Sequence, residues 1–388
     1  MRTSDFVIFL SIVLAIYGSA NYYVFVRGWQ AMPLGSAVRP LYSVIFICLA
    51  FAYVMGRFLE HAHRNAFSDA LMLTGSFWMA AIMYFLLIAA CVDCIRFADH
   101  WTHFLPAVGS ARYTLLKYRA LQGIVLFVAM LLGAGFVNAC HVRTTEYSIP
   151  LPTKPAGAPR SIRIAVISDI HLGAIVGKKR FDRMVNIIMA QKPDLILMPG
   201  DIVDEDITPV VQDNIGESLR RLSAPLGVFA STGNHEYIGG VDKAIAYYVE
   251  HGITVLRDSM LIVGGFLRIV GREDQSKERF TGQKRLELKD IVSQSESVLP
   301  LIVLDHQPSA LKEAQENQVD LLLCGHTHGG QLWPGSVLTK AIFGINRGLV
   351  RKGETSLIVS SGAGTWGPPV RIGSVPEIIF ITADIPGS

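Results

Sequence analysis

The sequence predicts an α/β fold in two parts: an α-helical transmembrane region of about four helices over residues 1–141, and a layered α/β domain over residues 161–388. Residues 142–160 between them read as a Pro-rich linker or a first edge strand. Three observations point there. The chain has 388 residues, more than a single core usually takes in. It is 51% hydrophobic and only 17% charged, too apolar for an ordinary soluble enzyme, and the excess is concentrated before Cys140. Beyond that point short β-rich runs alternate with helical or turn-forming stretches, as in stacked sheets and helices.

The first part is read from run length. A helix needs about 20 apolar residues to cross the hydrocarbon core, and four stretches come close: Phe6–Val26, Leu41–Gly56, Ala70–Val92 and Ala120–Cys140, the second being the shortest. Arg2, Arg27, Arg39, Arg57, Arg64, Asp93, Arg96, Lys117, Arg119 and Arg143 bracket them, where charges are tolerated. The first run has no small-residue cleavage pattern and exceeds a signal core, so it reads as retained. Four spans put both chain ends on one side. The basic flanks select neither side, with Arg2, Arg57, Arg64, Arg143 and Lys154 facing Arg27, Arg39, Arg96, Arg112, Lys117 and Arg119. No ionisable residue lies mid-span, which favours an anchor over a transporter. Asn21, the most polar residue within a run, is expected to make a helix–helix hydrogen bond.

Charge and cysteines exclude several classes. The net charge is +3 and no Lys/Arg run would track a nucleic-acid backbone, so no nucleic-acid partner is expected. Nothing in the sequence names a protein partner. Five cysteines form no readable disulfide framework. Cys91 and Cys94 make a Cys-x-x-Cys pair without a second pair to complete a zinc site, and are read as small side chains at a helix end.

In the second part, Pro150, Pro152, Pro155 and Pro159 forbid a continuous helix. Strands are expected at Ile162–Ser168, Leu195–Met198, Gly227–Ser231, Ile253–Leu256, Leu267–Val270, Leu301–Leu304, Leu321–Cys324, Leu357–Ser360 and Ile378–Thr382. Phe181, Met184, Val185, Ile188 and Met189 recur at helical spacing between the first two, predicting a β-α-β crossover.

The chemistry-bearing residues follow strands: Asp169-Ile170-His171, Gly200-Asp201, Gly233-Asn234-His235-Glu236, Asp305-His306-Gln307-Pro308 and Gly325-His326-Thr327-His328-Gly329-Gly330. Loops held by a rigid sheet commonly carry function. Asp-x-His on extended backbone puts two donors on one side, because side chains alternate. Gly-Asp alone is also a turn signal, and Gly-Asn-His a polar turn. In Gly-His-x-His-Gly-Gly two imidazoles flanked by small residues leave room for a metal and a substrate. Taken together, Asp169, His171, Asp201, Asn234, His306, His326 and His328 supply seven oxygen and imidazole donors, which fits a pair of divalent ions about 3.5–4 Å apart. One Asp should bridge them through its two oxygens. The donor set has no thiolate and suits manganese, iron or zinc. Arg272 and Arg371 lie in expected loops and are candidate phosphate contacts, with solvated surface arginines as the commoner case. Trp333 and Trp366 sit beside Gly- and Pro-rich turns and are read as packed under a loop, with an apolar substrate groove as the alternative.

The order and spacing of Asp169/His171, Gly200-Asp201, Gly233-Asn234-His235, His306 and Gly325-His326-Thr327-His328 closely resemble the calcineurin-like metallophosphoesterase superfamily, from about Thr144 to the C-terminus. The fuller forms Ile167–Gly173 and Gly325–Pro334 resemble its bacterial membrane-associated branch, which includes exported phosphodiesterase types. The resemblance implies a four-layer α/β/β/α sandwich with the metal site at one edge. It implies one metal on Asp169, His171, Asp201 and His328, a second on Asp201, Asn234, His306 and His326, and His235 as a catalytic non-ligand facing the substrate. The chain departs from the better-known branch in its N-terminus, where four spans exceed a single anchor or export signal; the expected location is the cell (inner) membrane, multi-pass, with the side of the catalytic domain open.

The expected function is a membrane-anchored dinuclear-metal phosphoester hydrolase, a phosphodiesterase or phosphatase. Its substrate is a phosphoester, with lipid-linked ones attractive because the membrane would concentrate both partners. Two divalent ions would lower the pKa of a shared water to supply hydroxide and neutralise phosphoryl oxygens, while protonated His235 donates to the leaving oxygen. One alternative is a pyrophosphatase acting on a nucleotide-linked lipid of envelope biosynthesis, separable by its substrate. Another class is a non-catalytic scaffold, or a transport or sensor protein with a regulatory soluble domain; a scaffold would be expected to have lost ligands, and this chain has not.

Overall fold

The computed structural model describes residues 3–151, 159–294 and 299–385. The chain divides into two compact units, residues 1–136 with 367–370, and residues 137–366 with 371–388. The first unit is built on helices α1 (Thr3–Ala31), α2 (Val38–His63), α3 (Ala66–Thr102) and α4 (Ala111–Cys140). Three of its segments are long and apolar enough to cross a membrane: Val38–Glu60, Ala66–Thr102 and Ala111–Cys140. The run Phe6–Val26 lies in α1, some of whose side chains fall outside the described residues.

Local chemistry sets these helices. Asn65 caps α3 by accepting from the backbone N–H groups of Phe67 and Ser68, and Ser68 answers by accepting from the Asn65 N–H. Apolar side chains such as Ile45, Phe51 and Leu126 face outward, as lipid-facing positions require. Polar groups are instead paired between helices. Trp78 Nε1 donates to Asn21 Oδ1 at 3.0 Å, the helix–helix bond expected of Asn21. Arg27 and Tyr23 of α1 both meet Asp93 of α3. Cys91 and Cys94 lie well inside α3, which runs on to Thr102, so they do not mark a helix end; all five cysteines are free.

The second unit stacks two six-stranded sheets. Its strands are β1 (Arg143–Pro150), β2 (Ser161–Val166), β3 (Leu195–Pro199), β4 (Val228–Ser231), β5 (Thr254–Val255), β6 (Ser259–Val263), β7 (Leu267–Gly271), β8 (Leu301–Leu304), β9 (Leu321–Cys324), β10 (Gly348–Lys352), β11 (Thr355–Val359) and β12 (Glu377–Asp384). The first sheet has the order β1-β12-β2-β3-β4-β5 and the second β10-β11-β9-β8-β7-β6. Within them β2 to β5 run parallel, as do β7, β8, β9 and β11. Helices α5 (Lys178–Ala190), α6 (Thr208–Gln212), α7 (Gly216–Arg220), α8 (Asn234–Gly239), α9 (Val241–Glu250), α10 (Lys277–Thr281), α11 (Leu288–Val292), α12 (Leu311–Glu316) and α13 (Gly335–Phe343) complete the unit.

Period-two alternation produces the four layers. Ile162, Ile164 and Val166 of β2 face the second sheet, where they pack with Ile269, Ile302 and Leu323. Ala165 and Ile167 point the other way, onto Phe181, Met184, Val185 and Ile188 of α5. On the far face of the second sheet, Val303, Leu322 and Leu357 pack with Leu288 and Ile291 of α11 and Ala314 of α12. The architecture is thus α/β/β/α, and β2-α5-β3 is the expected crossover unit in a parallel sheet.

Each strand expected from the sequence is present within a few residues. The sequence reading omitted β6 and β10, which are the two antiparallel edges of the second sheet. Their side chains are largely exposed or half-buried; β10 has only Leu349 and Val350 as an apolar run, whereas Met260–Val263 of β6 is a continuous apolar run that the sequence reading passed over. The Pro-rich stretch begins as strand β1, paired in parallel with β12 at the edge of the first sheet; its residues 152–158 lie outside the described residues.

Candidate metal centre

The C-terminal ends of β2, β3 and β4 in one sheet, and of β8 and β9 in the other, bring their loops to a common edge, where open parallel sheets bind ligands. All seven residues expected as ligands meet there. Asp169, His171 and His328 place ligand atoms within 4.8 Å of one another, and Asp201, His306 and His326 do the same. Asn234 joins the second group, its Oδ1 lying 3.2 Å from His306 Nε2 and 2.9 Å from His326 Nδ1. Asp201 touches both groups, with Oδ2 3.1 Å from His306 Nε2 and 3.8 Å from His171 Nε2.

The donor chemistry of these groups fits cations. His306 Nδ1 donates to the Pro199 carbonyl at 2.9 Å, because a carbonyl can only accept. In the neutral ring that leaves a lone pair on Nε2, facing the Asp201 carboxylate and the Asn234 carbonyl oxygen. Three acceptors converging in a buried space repel unless positive charge sits among them. Likewise His171 Nε2 and His328 Nε2 face each other at 3.0 Å, with Asp169 Oδ1 3.5 Å from His328 Nε2. Ionisation follows these charges: burial lowers His306, but the Asp201 carboxylate outweighs it and raises its pKa well above the usual imidazole value, so without a cation the ring's own proton supplies positive charge there. Burial alone would raise the Asp201 carboxyl, but His306, His235 and His171 around it hold it well below the usual range. Burial and then the neighbouring His306 push His326 down, while burial, His171 and Arg371 push His328 well down, favouring the neutral imidazole that a metal needs.

The backbone is bent to this purpose. Asp169, His171, Asp201, His326 and His328 all have φ between 50° and 72°, the left-handed region that costs roughly 1–2 kcal/mol for each non-glycine residue. Hydrogen bonds between the loops hold it. Ile170 N donates to Asp201 O at 2.8 Å, and Gly364 N to Asp169 O at 2.8 Å. Gly233 admits the close approach: a Cβ there would lie 2.2 Å from Asp201 Oδ1.

Three residues that sequence reasoning did not assign to the site complete it, Glu236 and Ser168 buried and Asp204 half-buried. Glu236 Oε2 accepts from the N–H groups of Asp201 at 3.0 Å and Gly233 at 2.7 Å, and Oε1 from Ile202 and the Tyr248 hydroxyl, both at 2.8 Å. One carboxylate thus ties together the two loops that carry Asp201 and Asn234. In Glu236→Gln an amide NH2 would face N–H donors, and we expect loss of about 3 kcal/mol of stability; thermal melting of the full chain with and without divalent metal checks this, and an unchanged melting temperature would contradict it. Asp204 Oδ1 lies 2.9 Å from His235 Nδ1 and 3.6 Å from His171 Nδ1. The first is an ion-pair contact whose angle falls short of a hydrogen bond. Burial lowers the His235 pKa, but the Asp201 and Asp204 carboxylates outweigh it and raise it to about 9. Ser168 donates its hydroxyl to Asp169 Oδ2. Its place directly before Asp169 was the only signal for it; Asp204 and Glu236 each stand three residues or fewer from an expected ligand.

Neither candidate arginine is presented to a substrate. Arg371 is 1% exposed and spends its guanidinium on the carbonyls of Gly362, Gly364 and His328, fastening the loops behind the imidazoles. Arg272 is 2% exposed, pairs with Asp305 and Glu313, and donates to the Leu286 carbonyl at 2.9 Å. A guanidinium so engaged cannot turn to a phosphate without leaving buried acceptors bare. Trp333 and Trp366 are also not packed under loops, being 55% and 51% exposed, and the Trp366 ring lies 5.8 Å from that of His235.

The comparisons agree with this geometry. The calcineurin-like phosphoesterase family model matches residues 162–330. An uncharacterized metallophosphoesterase of Aquifex aeolicus is 33% identical over 260 residues, covering 66% of this chain and 98% of the relative. The chain belongs to the calcineurin-like phosphoesterase family. The match extends through the helical part in an uncharacterized metallophosphoesterase of Campylobacter jejuni, 28% identical over 385 residues, which cover 97% of this chain and 98% of the relative. A Danio rerio relative named as a transmembrane protein with a metallophosphoesterase domain is 30% identical over 288 residues, covering 71% of this chain and 63% of its own. This family member is a membrane protein, with apolar helices ahead of the calcineurin-like domain.

Proposed function

We propose that the chain is a phosphoester hydrolase, a phosphodiesterase or phosphatase, anchored in the cell (inner) membrane by multiple spans, α1 included. Asp169, His171, Asp201 and His328 would hold one divalent cation, and Asp201, Asn234, His306 and His326 a second, with Asp201 shared. The observation that carries this is the convergence of His306 Nε2, Asp201 Oδ2 at 3.1 Å and Asn234 Oδ1 at 3.2 Å in a buried space. When bound, two divalent cations supply Lewis-acid charge for the phosphoryl oxygens and lower the pKa of water between them.

The chain's own residues do the rest. Asp201 turns Oδ2 to both groups, 3.1 Å from His306 Nε2 and 3.8 Å from His171 Nε2, while its Oδ1 accepts from the His235 N–H at 2.9 Å and so fixes the carboxylate's orientation. Glu236 keeps the Asp201 backbone from relaxing out of its strained conformation. Asp204 engages His235 through Nδ1, which leaves Nε2–H as the end that can donate to a departing alkoxide. Against burial, the Asp201 and Asp204 carboxylates raise the His235 pKa and so favour the protonated ring. The Trp366 ring stands edge-on to that of His235, 5.8 Å between centroids.

Hydrolysis of a chromogenic phosphodiester by the full-length protein tests the reading. Activity should fall to background after chelation and return with manganese, iron or zinc. Turnover that persists unchanged after exhaustive chelation would sink it. The pyrophosphatase alternative is separated in the same assay by a nucleotide-diphospho-lipid: hydrolysis of the diester alone excludes it.

A further inference from the structure

Helix α13 presents an apolar face to solvent directly beside the site. Val337, Leu338 and Ile342 are 66%, 63% and 63% exposed, and no residue of the helix is buried. Val337 and Ala341, and Leu338 and Ile342, are spaced by four, so they lie side by side on one face. Trp333, just before the helix, adds an exposed indole. The helix is fastened to the ligand loops. The Phe343 ring lies 5.6 Å from that of His326, Thr327 Oγ1 donates to Asn346 O at 2.6 Å, and Asn346 Nδ2 donates to Ser336 O at 3.0 Å. A Cβ on Gly330 would lie 2.1 Å from Ser336 N, so the loop of His326 and His328 rests on the helix start backbone to backbone. Solvent-facing aliphatic clusters of this kind are uncommon unless something covers them.

We propose that α13 and Trp333 dock on a lipid bilayer, and that the substrates of the adjacent site are phosphoesters held at that surface by a hydrocarbon chain. The proposal rests on the hydrolase reading above and names its substrate class. The composition favours lipid over a protein occupant. Exposed aliphatic residues beside a Trp, with Lys340 on the same short helix, match an interfacial helix whose apolar side enters the headgroup boundary while its cation stays with the phosphates. The tether supplies the second argument. Only His141 and Val142 separate the end of α4, a segment fit to cross a membrane, from the start of β1, so the catalytic unit is held within a short reach of a bilayer. The open surface between Ser336, Val337, Lys340, Ala341 and Asn346, about 450 Å³, lies on the same helix.

The test uses the full-length protein in nanodiscs with divalent metal and two substrates bearing the same leaving group, one water-soluble and one on a diacylglycerol anchor in the disc. A Val337→Ser/Leu338→Ser/Ile342→Ser variant should lose at least about tenfold in turnover of the anchored substrate, since even one aliphatic side chain left unburied accounts for that much. Turnover of the soluble substrate should stay within about twofold of the unmodified chain. Equal loss on both substrates, no loss on either, or an unmodified chain that cleaves only the soluble one would overturn the proposal and leave the hydrolase reading standing. An unmodified chain that cleaves neither, with metal present, would overturn the hydrolase reading and with it this substrate class. Brominated lipids give a readout independent of activity: they should quench tryptophan emission, and Trp333→Phe should remove part of that quenching. Absence of any Trp333 component, or a change of oligomeric state in the α13 variant without one, would show that a second copy of the chain or solvent covers the face.

Discussion

Asp201→Asn is expected to lower kcat/KM on phosphoesters by roughly 10³-fold or more, the scale seen when a group that fixes charge at the reacting centre is lost. The reason is geometric. Asp201 Oδ2 stands 3.1 Å from His306 Nε2 and 3.8 Å from His171 Nε2, so it belongs to both donor groups. An amide has one oxygen, and its nitrogen would turn a donor toward imidazole lone pairs or a cation. The backbone need not change, because the Asp201 N–H still reaches Glu236. Loss of activity with an unchanged melting temperature in chelator would therefore place the defect in the donor set. Near-normal turnover by this variant would remove Asp201 from its proposed role.

His235→Ala should cost about 10²–10⁴-fold in kcat, the range for losing a general acid, while metal binding is retained because His235 belongs to neither proposed ligand set. The loss should shrink as the leaving group improves, being larger for an alkoxide than for a nitrophenolate, since a stable anion does not need the proton. The pH profile carries the sign. The donor must be protonated, so the rate should fall as pH rises through the pKa of His235, about 9 without cations and lower when cations offset Asp201. That alkaline limb should disappear in His235→Ala and move to lower pH in Asp204→Asn, where a carboxylate that raises the pKa is gone. An alkaline limb that survives His235→Ala would assign the proton elsewhere.

Much of this site was legible because its signals are local. Asp169 and His171 flank one residue after a strand, and His326 and His328 do the same, so spacing alone brings each pair to one place. The apolar runs of β2, β3, β8 and β9 mark central parallel strands, and their C-terminal ends are where such sheets bind ligands. What was not legible depends on tertiary approach. Asp204 stands 31 positions before His235, and nothing in either segment says that they meet at 2.9 Å. Glu236 reads as an ordinary early-helix carboxylate until its oxygens are seen on Asp201 and Ile202. Arg272 and Arg371 illustrate the opposite error. An arginine in a loop suggests a phosphate contact, but burial and the surrounding acceptors had already claimed both guanidinium groups. Left-handed backbone at five of the proposed ligand positions likewise has no sequence mark, because none of the five is glycine.

The most direct test of the account is the number of cations the site holds. Titration of manganese into the chelator-treated full-length protein, followed by calorimetry, should show two equivalents bound per chain, falling to one or none in Asp201→Asn and remaining at two in His235→Ala. A single equivalent or none in the unmodified chain, or two retained without Asp201, would contradict a shared carboxylate holding a pair of metals between the sheet ends.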